Sequence, residues 1–286
     1  MKIVTDSAAD MILEERESLG IVEAPLFIQF PDGEINSADI SADKFYDRLE
    51  AMRPQIPTTS LPSEGVFASI YSKLAETSKQ ILSIHISSGL SGTFNSARNG
   101  GDHIKTAEVT TVDTMTLSGG ERFQVLAAAW AARAGWNLQA ILERLSKIQA
   151  STEVIYTLET LEYLARGGRI GRVQALAGSL LKIKPIIRVD REDGKYTTVG
   201  KNRTIQQSLI SITDHLLDMY GSIPVWVTVL HGRLSESAEA LSKSLNEKLN
   251  IKKLEVLRIS PVLGVHTGPG IVGAAVLPME LIEDLQ

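Results

Sequence analysis

The sequence predicts an α/β protein whose sheet is mainly parallel and is flanked by helices. Short runs of β-branched and other apolar residues alternate along the chain with segments of helical periodicity, which is typical of strands joined by helical crossovers. Most strand runs are nearly continuous in apolar residues, as expected of parallel strands that helices cover on both faces. With 286 residues, 43% of them hydrophobic, the chain is long enough for two such domains, each with its own core.

Six segments carry the strand pattern. They are residues 2–5, 80–86, 108–113, 153–158, 225–230 and 254–259. Apolar residues recur at steps of four and three in residues 205–219, which predicts a helix. Residues 127–150 predict two helices joined at Gly135. We place the domain boundary directly after them, so that residues 1–152 form an N-terminal α/β domain and residues 153–286 a mixed α/β C-terminal domain. A return of the last strand to the first domain is the alternative topology.

Two further segments predict antiparallel hairpins. Pro31-Asp32-Gly33 and residues 191–195 each carry an Asp-Gly pair between β-compatible runs. Asp-Gly is common in hairpin turns because glycine tolerates a positive φ. We therefore expect an antiparallel addition in each half of the chain.

The composition excludes several classes of protein. The net charge of -5 argues against a sequence-independent nucleic-acid binder, because such proteins need clustered Lys and Arg. The absence of cysteine excludes disulfide scaffolds, thiolate metal sites and cysteine nucleophiles. No apolar run approaches the roughly 20 residues of a bilayer span, and the first residues lack the pattern of a secretory signal. We expect a cytoplasmic protein without an integral membrane segment.

Three segments rich in hydroxyl groups, glycine and histidine are the candidate functional loops. Residues 58–60 place three hydroxyls between two prolines, ahead of a helical pattern. Residues 87–93 join a strong strand to a helix, and residues 266–270 carry a histidine in a Gly-Pro-Gly loop. Hydroxyls and free backbone N–H groups at the start of a helix attract anions. The loops therefore predict a small-anion site, with helix capping, a plain connector and a structural histidine as the alternatives.

Asp6-Ser7 ends the first predicted strand. Ser7 and Asp10 have the spacing of a helix cap, which is the simpler interpretation. Ligands also gather at the carboxyl ends of parallel strands, so the same residues are a second candidate position for a site.

Arginines and glycines alternate in residues 165–172, the densest basic cluster of the chain. Solvated surface charge is one interpretation of this cluster. A clamp for a phosphate or an acidic partner is the other, because guanidinium pairs bidentately with such groups. Residues 201–204 form a smaller cluster of the same kind. The chain has no Walker A motif, which argues against ATP binding by that route.

Five motifs, taken in order, resemble those of the DegV family. They are Val4-Thr5-Asp6-Ser7-Ala8-Ala9-Asp10, Pro57-Thr58-Thr59-Ser60-Leu61-Pro62-Ser63, Ser87-Ser88-Gly89-Leu90-Ser91-Gly92-Thr93, Leu164-Ala165-Arg166-Gly167-Gly168-Arg169-Ile170 and His266-Thr267-Gly268-Pro269-Gly270. The resemblance covers essentially the whole chain. It implies a two-domain α/β fold that encloses one long-chain fatty acid, with the acyl tail buried and the carboxylate in the crevice between the domains. FakB-type members of the family present this fatty acid to a separate ATP-dependent kinase, FakA, which converts the carboxylate to an acyl phosphate for phospholipid synthesis.

The resemblance also implies roles for individual residues. The carboxylate ligands would be Thr59, Ser91 and His266. Neighbouring residues of the same motifs are Ser60, Gly92 and Thr267. Arg169 and Arg203 would fall on the surface that docks the kinase. The resemblance implies no cofactor, no metal and no catalytic residue in this chain.

Two positions depart from the family pattern. Leu61 stands where many relatives carry Gln, and Arg166 stands where lysine is common. Leu61 changes the hydrogen bonding that is available near the carboxylate.

Two other functions stay open on the residues alone. A serine hydrolase or esterase would use Ser91 as nucleophile, His266 as base and Asp6 as orienting acid. Against it, residues 89–93 miss the Gly-x-Ser-x-Gly spacing of a nucleophile elbow, because position 93 is Thr. A general lipid carrier that works without a kinase is the other alternative.

Overall fold

The computed structural model describes residues 1–179 and 183–285 and arranges their strands in three sheets. The first sheet has four parallel strands in the order β2-β1-β6-β7. They are β1 (Lys2–Asp6), β2 (Val22–Ala24), β6 (Gln80–His85) and β7 (Glu108–Asp113). The predicted parallel sheet of the N-terminal half is confirmed.

Six helices belong to this half. They are α1 (Leu13–Leu19), α2 (Ala42–Ala51), α3 (Glu64–Ala75), α4 (Thr93–Asp102), α5 (Ser118–Arg133) and α6 (Leu138–Ser151). Ser63 caps α3 by accepting a hydrogen bond from the Val66 N–H at 3.3 Å, as its place before Glu64 suggests. The predicted junction at Gly135 is confirmed, and its φ of 83° explains why a glycine lies between α5 and α6.

A small antiparallel sheet, in the order β4-β3-β5, lies beside the first. Its strands are β3 (Phe27–Phe30), β4 (Gly33–Asn36) and β5 (Thr58–Ser60). The hairpin predicted from Asp32-Gly33 joins β3 to β4. The prediction of a loop at residues 58–60 is wrong, because Thr59 pairs with Ile28 of β3. This pairing comes from a distant strand, and three residues between prolines carry no readable strand pattern of their own.

The third sheet is mixed and has six strands in the order β10-β9-β8-β13-β11-β12. They are β8 (Glu153–Leu158), β9 (Lys184–Val189), β10 (Tyr196–Asn202), β11 (Val225–His231), β12 (Ile251–Arg258) and β13 (Ile271–Pro278). The hairpin predicted at residues 191–195 joins β9 to β10. The last strand, β13, pairs with β8 and β11, so the alternative in which it returns to the first domain is wrong.

The helices of the C-terminal half are α7 (Glu162–Arg166), α8 (Ile205–Tyr220), α9 (Ser235–Lys248) and α10 (Pro261–Thr267). Helix α8 matches the helix predicted for residues 205–219. Helices α8 and α9 cover one face of the third sheet, where Leu209, Leu241 and Val227 share a buried cluster.

Helix α5 joins the two halves. It shares one hydrophobic core with Leu82 of the first sheet and Trp226 of the third. The rings of Phe123 and Trp226 lie 5.0 Å apart, and a Cβ on Gly119 would lie 2.6 Å from the Ala275 Cβ. A boundary near residue 152 stays a prediction, because α5 precedes it in the chain and yet packs on strands that follow it.

Candidate functional site

The three segments singled out in the sequence meet at one cavity between the halves. Thr59 enters from β5, Ser91 from the turn before α4, and His266 from the last turn of α10. The cavity has about 520 Å³ of space between its atoms, including its mouth, which opens to solvent. The remaining lining residues are Ala8, Leu26, Ser60, Leu61, Ile86, Leu90, Arg169, Tyr196, Val262 and Leu263.

Local structure explains the position of each polar side chain. The antiparallel pairing of β5 with β3 fixes Thr59. A tight turn, in which the N–H groups of Leu90 and Ser91 each donate to the Ser87 carbonyl at 3.0 Å, places Ser91 at the start of α4. His266 lies within α10, so the prediction that residues 266–270 form a loop is wrong for its first two residues.

Thr59 and His266 are in direct contact. The Thr59 Oγ1 and His266 Nε2 atoms lie 2.9 Å apart. Burial, followed by the positive charge of Arg169, lowers the pKa of His266 to about 4. The imidazole is therefore neutral near pH 7. Its Nδ1 is buried and has no hydrogen-bond partner within the described residues, and a Cβ on Gly167 would lie 2.3 Å from it.

The other residues predicted to lie near the ligand either bond to protein groups or lie outside the cavity. The Ser60 hydroxyl donates to Glu34 at 3.1 Å and accepts from Gln29 Nε2 at 3.0 Å, although Ser60 also lines the cavity. The Thr267 hydroxyl is buried and donates to the Leu263 carbonyl at 3.0 Å. Gly92 lies in an open groove that continues from the mouth of the cavity.

In the basic cluster of residues 165–172, two arginines form ion pairs with carboxylates and the third lines the cavity. Arg166 pairs with Glu162 at 2.9 Å, and Arg172 pairs with Asp190 at 2.8 Å. Arg169 lines both the cavity and the open groove, and it donates to the Gly167 carbonyl at 2.6 Å. Of the three arginines, it alone has no carboxylate partner in the described part of the chain.

Arg203 is not part of this cavity. It lies in a separate exposed groove together with Lys201, Gln207 and Ile210. The structure therefore places the two arginines of the predicted docking surface beside two different depressions.

The hydrolase alternative requires Asp6 to orient His266, but Asp6 is bonded elsewhere. Its Oδ2 lies 3.0 Å from His85 Nδ1, and the His85 Nε2 lies 2.6 Å from the Ser83 Oγ. Asp6, His85 and Ser83 are fully buried, so this arrangement, although it has the order of a catalytic triad, has no access to a substrate. The Ser91 hydroxyl contacts Thr93 Oγ1 at 2.8 Å. The structure thus lacks the contacts that a hydrolase built on Ser91, His266 and Asp6 would need.

The cap predicted at Ser7 is formed by its neighbour. The Asp6 Oδ1 accepts from the Ala8 N–H at 2.9 Å, whereas the Ser7 hydroxyl accepts from the Leu26 N–H at 3.1 Å. The sequence pattern therefore located the cap correctly but assigned it to the wrong residue.

A second, apolar cavity adjoins the first, and the two share Leu263 in their walls. It has about 340 Å³ of space between its atoms, including any opening to solvent. Its other lining residues are Leu117, Ser118, Val154, Ile155, Tyr156, Leu230, Ile259, Thr267, Ile271, Gly273 and Ala274. No sequence pattern predicts this cavity, because its wall comes from several strands and two helices whose apolar residues have the pattern of ordinary core.

Among the described residues, no helix combines the length and the apolar character that crossing a bilayer requires.

Known proteins resemble this chain in sequence and in fold. A family model described as "Uncharacterised protein, DegV family" matches residues 1–279. A DegV domain-containing protein of Clostridium perfringens is 38% identical over 275 residues, which cover 96% of this chain and 97% of that protein. The structure resembles a DegV family protein of Thermus thermophilus, described by its fatty acid binding, with a TM-score of 0.91, 30% identity and coverage of 97% and 99%.

A second solved structure extends the comparison. DegV of Bacillus subtilis, described as a fatty acid binding protein, has a TM-score of 0.88 and 28% identity, with coverage of 97% of this chain and 98% of that one. Because both the sequence and the fold match over nearly the full length, the chain belongs to the DegV family.

Proposed function

We propose that this protein binds one long-chain fatty acid, with the carboxylate in the polar cavity and the acyl tail in the apolar one. The observation that carries the proposal is the pairing of the two cavities. A pocket with hydroxyl and imidazole groups adjoins a pocket of almost wholly apolar lining, and Leu263 belongs to both. The Thermus and Bacillus relatives described as fatty-acid-binding proteins have the same fold.

The carboxylate would be held by neutral donors. The hydroxyls of Thr59 and Ser91 line the polar cavity. If the neutral His266 donates its Nε2–H to Thr59 Oγ1, the hydroxyl hydrogen of Thr59 is free to donate to the ligand. Several such donors offset the cost of removing a carboxylate from water. Arg169 lines the same cavity, so its positive charge would favour the ionised carboxylate beside these neutral donors.

Burial of the acyl tail would contribute most of the binding free energy. Each methylene that leaves water for an apolar environment contributes about 0.8 kcal/mol. The apolar cavity lies between the helix α5 and the third sheet, where Leu117, Leu230 and Ile259 face the same space.

The open groove beside the carboxylate suits an incoming phosphoryl donor. Its lining includes Arg169 and Lys195 and contains no carboxylate. We propose that a separate FakA-type kinase docks here and at the groove of Arg203, and that a carboxylate oxygen attacks the terminal phosphorus of ATP. The products are an acyl phosphate and ADP, and the catalytic groups belong to the kinase.

Native mass spectrometry of the purified protein tests the binding step, and incubation with a FakA-type kinase and labelled ATP tests the transfer step. We expect a co-purified fatty acid and a labelled acyl phosphate. Failure to carry or take up any of several fatty acids of 14 to 18 carbons would overturn the proposal. Binding without acyl phosphate formation would instead support a lipid carrier that works without a kinase.

A further inference from the structure

The N-terminus of α10 is held by residues from the other half of the chain. The Ser260 N–H donates to Asp10 Oδ1 at 2.7 Å, and the Val262 N–H donates to the Ser37 hydroxyl at 3.0 Å. Helix α10 has seven residues and begins at Pro261, and Ser260 makes no side-chain capping bond of its own. Two of the N–H groups at the start of this short helix therefore depend on acceptors that come from far away in the sequence.

The backbone conformation, burial and hydrogen bonds of Asp10 hold its carboxylate in this position. Its φ of 51° lies in the left-handed region, which Asp and Asn tolerate better than most residues. It is 8% exposed, and its second carboxylate oxygen accepts from the Ser118 hydroxyl at the start of α5. One carboxylate thus joins the turn that follows β1 to the start of α5 and the start of α10.

Helix α10 connects Asp10 to the ligand site. The helix carries Leu263, which lines both cavities, and His266, which contacts Thr59. It is packed closely along its length, since a Cβ on Gly264 would lie 2.7 Å from a ring carbon of Phe45. A change at its first residue is therefore expected to move the two-turn helix as a unit.

We propose that Asp10 is a positioning residue of the fatty-acid site: its carboxylate anchors the start of α10 and thereby holds His266 against Thr59. The proposal rests on the proposed function. A carboxylate also interacts favourably with the positive end of a helix dipole, so the ionised form holds α10 more firmly than the neutral form does.

The affinity for a fatty acid should consequently depend on pH. Burial raises the pKa of Asp10 to about 6, while the hydrogen bonds from Ser118 and Ser260 and, to a smaller extent, the charge of Arg122 oppose this shift. The other charged or titratable groups that face Asp10 or the cleft beside it are Arg16, Glu23, Tyr46, Glu121 and Arg258. Because the cleft is open, protons reach Asp10. As the pH falls from 7.5 to 5, Asp10 gains a proton and its hold on α10 weakens.

The test compares the palmitate affinity of the delipidated protein in three forms, the wild type and two variants, at pH 7.5, 6 and 5. Asp10→Asn keeps the shape and one acceptor oxygen but is never ionised. It should bind about five- to tenfold more weakly than the wild type at pH 7.5, which is the difference between a charge-assisted and a neutral hydrogen bond. The difference should vanish at pH 5. Glu23→Gln is the matched control, because Glu23 is another acid of the same cleft whose pKa burial raises, but it bonds to Ser7 and Arg16.

A stability measurement separates positioning from a general loss of structure. Because the pKa of Asp10 is raised above its unfolded value of 3.8, its ionisation costs folding stability above pH 6. Asp10→Asn should therefore unfold at no lower urea concentration than the wild type at pH 7.5 while it binds more weakly. Should this variant fail to fold, Ser37→Ala serves instead, since it removes the second acceptor and should weaken binding equally at every pH.

The outcomes are distinct. Wild-type protein that binds no palmitate overturns the proposed function. If the wild type binds palmitate, two results overturn only the role of Asp10. One is an Asp10→Asn affinity equal to that of the wild type at pH 7.5, and the other is a loss of affinity in Asp10→Asn that is as large at pH 5 as at pH 7.5. The 13C resonance of carboxyl-labelled palmitate gives an independent readout, and it should shift in Asp10→Asn but not in Glu23→Gln.

Discussion

The pair formed by Thr59 and His266 is the centre of the site at the scale of single residues. The two side chains are 207 positions apart in the chain and 2.9 Å apart in space. A threonine hydroxyl that accepts a hydrogen bond from a neutral imidazole can itself donate a hydrogen bond to a ligand. A charged histidine would instead form an ion pair with a carboxylate. Under the proposed function, this pair would therefore donate a neutral hydrogen bond to the carboxylate.

Thr59→Val should weaken fatty acid binding about tenfold, because valine has the same shape but leaves the ligand oxygen and His266 without a partner. Isothermal titration with palmitate measures the change. Thr58→Val is the matched control, since Thr58 is the exposed neighbour on β5 and does not line the cavity. Equal losses in the two variants would contradict the assignment of Thr59.

The depressed pKa of His266 makes a prediction about stability. The imidazole has a pKa of about 4 in the folded protein and 6.5 as its ordinary value, so the unfolded chain takes up the proton first. The free energy of unfolding should therefore decrease as the pH falls from about 6.5 toward 4. Urea denaturation of the wild type and of His266→Asn at pH 7, 6 and 5 measures this. The variant should lose less stability over this range, and parallel curves would show that His266 does not titrate as inferred.

At the scale of elements, the site depends on a contact between the turn that carries Ser91 and the hairpin of β9 and β10. A Cβ on Gly89 would lie 2.3 Å from the Asp193 carbonyl oxygen, and the Ser87 hydroxyl donates to the Gly194 carbonyl at 2.8 Å. Glycine is needed at position 89 because two backbones approach closely there. The hairpin thus supports one wall of the cavity.

Gly89→Ala should separate the turn from the hairpin. We expect a loss of about 1–3 kcal/mol of unfolding free energy, as for other overpacked contacts, together with weaker palmitate binding. Urea titration and a binding isotherm measure the two effects. Gly65→Ala is the control, because Gly65 lies in α3 with nothing nearer than 3.8 Å to its Cβ position and alanine favours the helix. A Gly89→Ala variant as stable as the wild type would show that the contact can relax.

At the scale of the whole molecule, Arg122 ties the two halves together. It is fully buried on α5 and pairs with Glu15 of α1 and, at 2.9 Å, with Glu255 of β12. Its guanidinium carbon also lies 5.5 Å from the Trp226 ring centroid. Removing the cation would leave two carboxylates facing each other at the junction.

Arg122→Met should lower the free energy of unfolding by about 2–4 kcal/mol, somewhat less than for a fully buried pair because the two glutamates are partly exposed. Arg144→Met, which breaks the surface pair with Asp284, should cost no more than about 1 kcal/mol. Both variants should unfold in one transition by urea denaturation, because one core spans the two halves. Two separate transitions in the wild type would contradict a shared core.

The parts of the fold that the sequence predicted are those with local causes. Strands such as β6 and β8 were predicted because a continuous apolar run reports burial on both faces. The hairpin turns were predicted because glycine permits a positive φ, as at Gly194 with 64°. Strand β5 was missed because its three residues owe their conformation to pairing with β3.

The sequence by itself determined the family, the alternation of strands and helices, and the residue types of the candidate site. These depend on periodicity, turn chemistry and motif order, all of which are readable along the chain. Only the tertiary structure decided that Thr59 contacts His266, that Asp6 is bound to His85, and that Asp10 reaches Ser260 across 250 positions. A local pattern reports which face of an element is buried, but which distant element covers that face depends on packing that no local pattern contains.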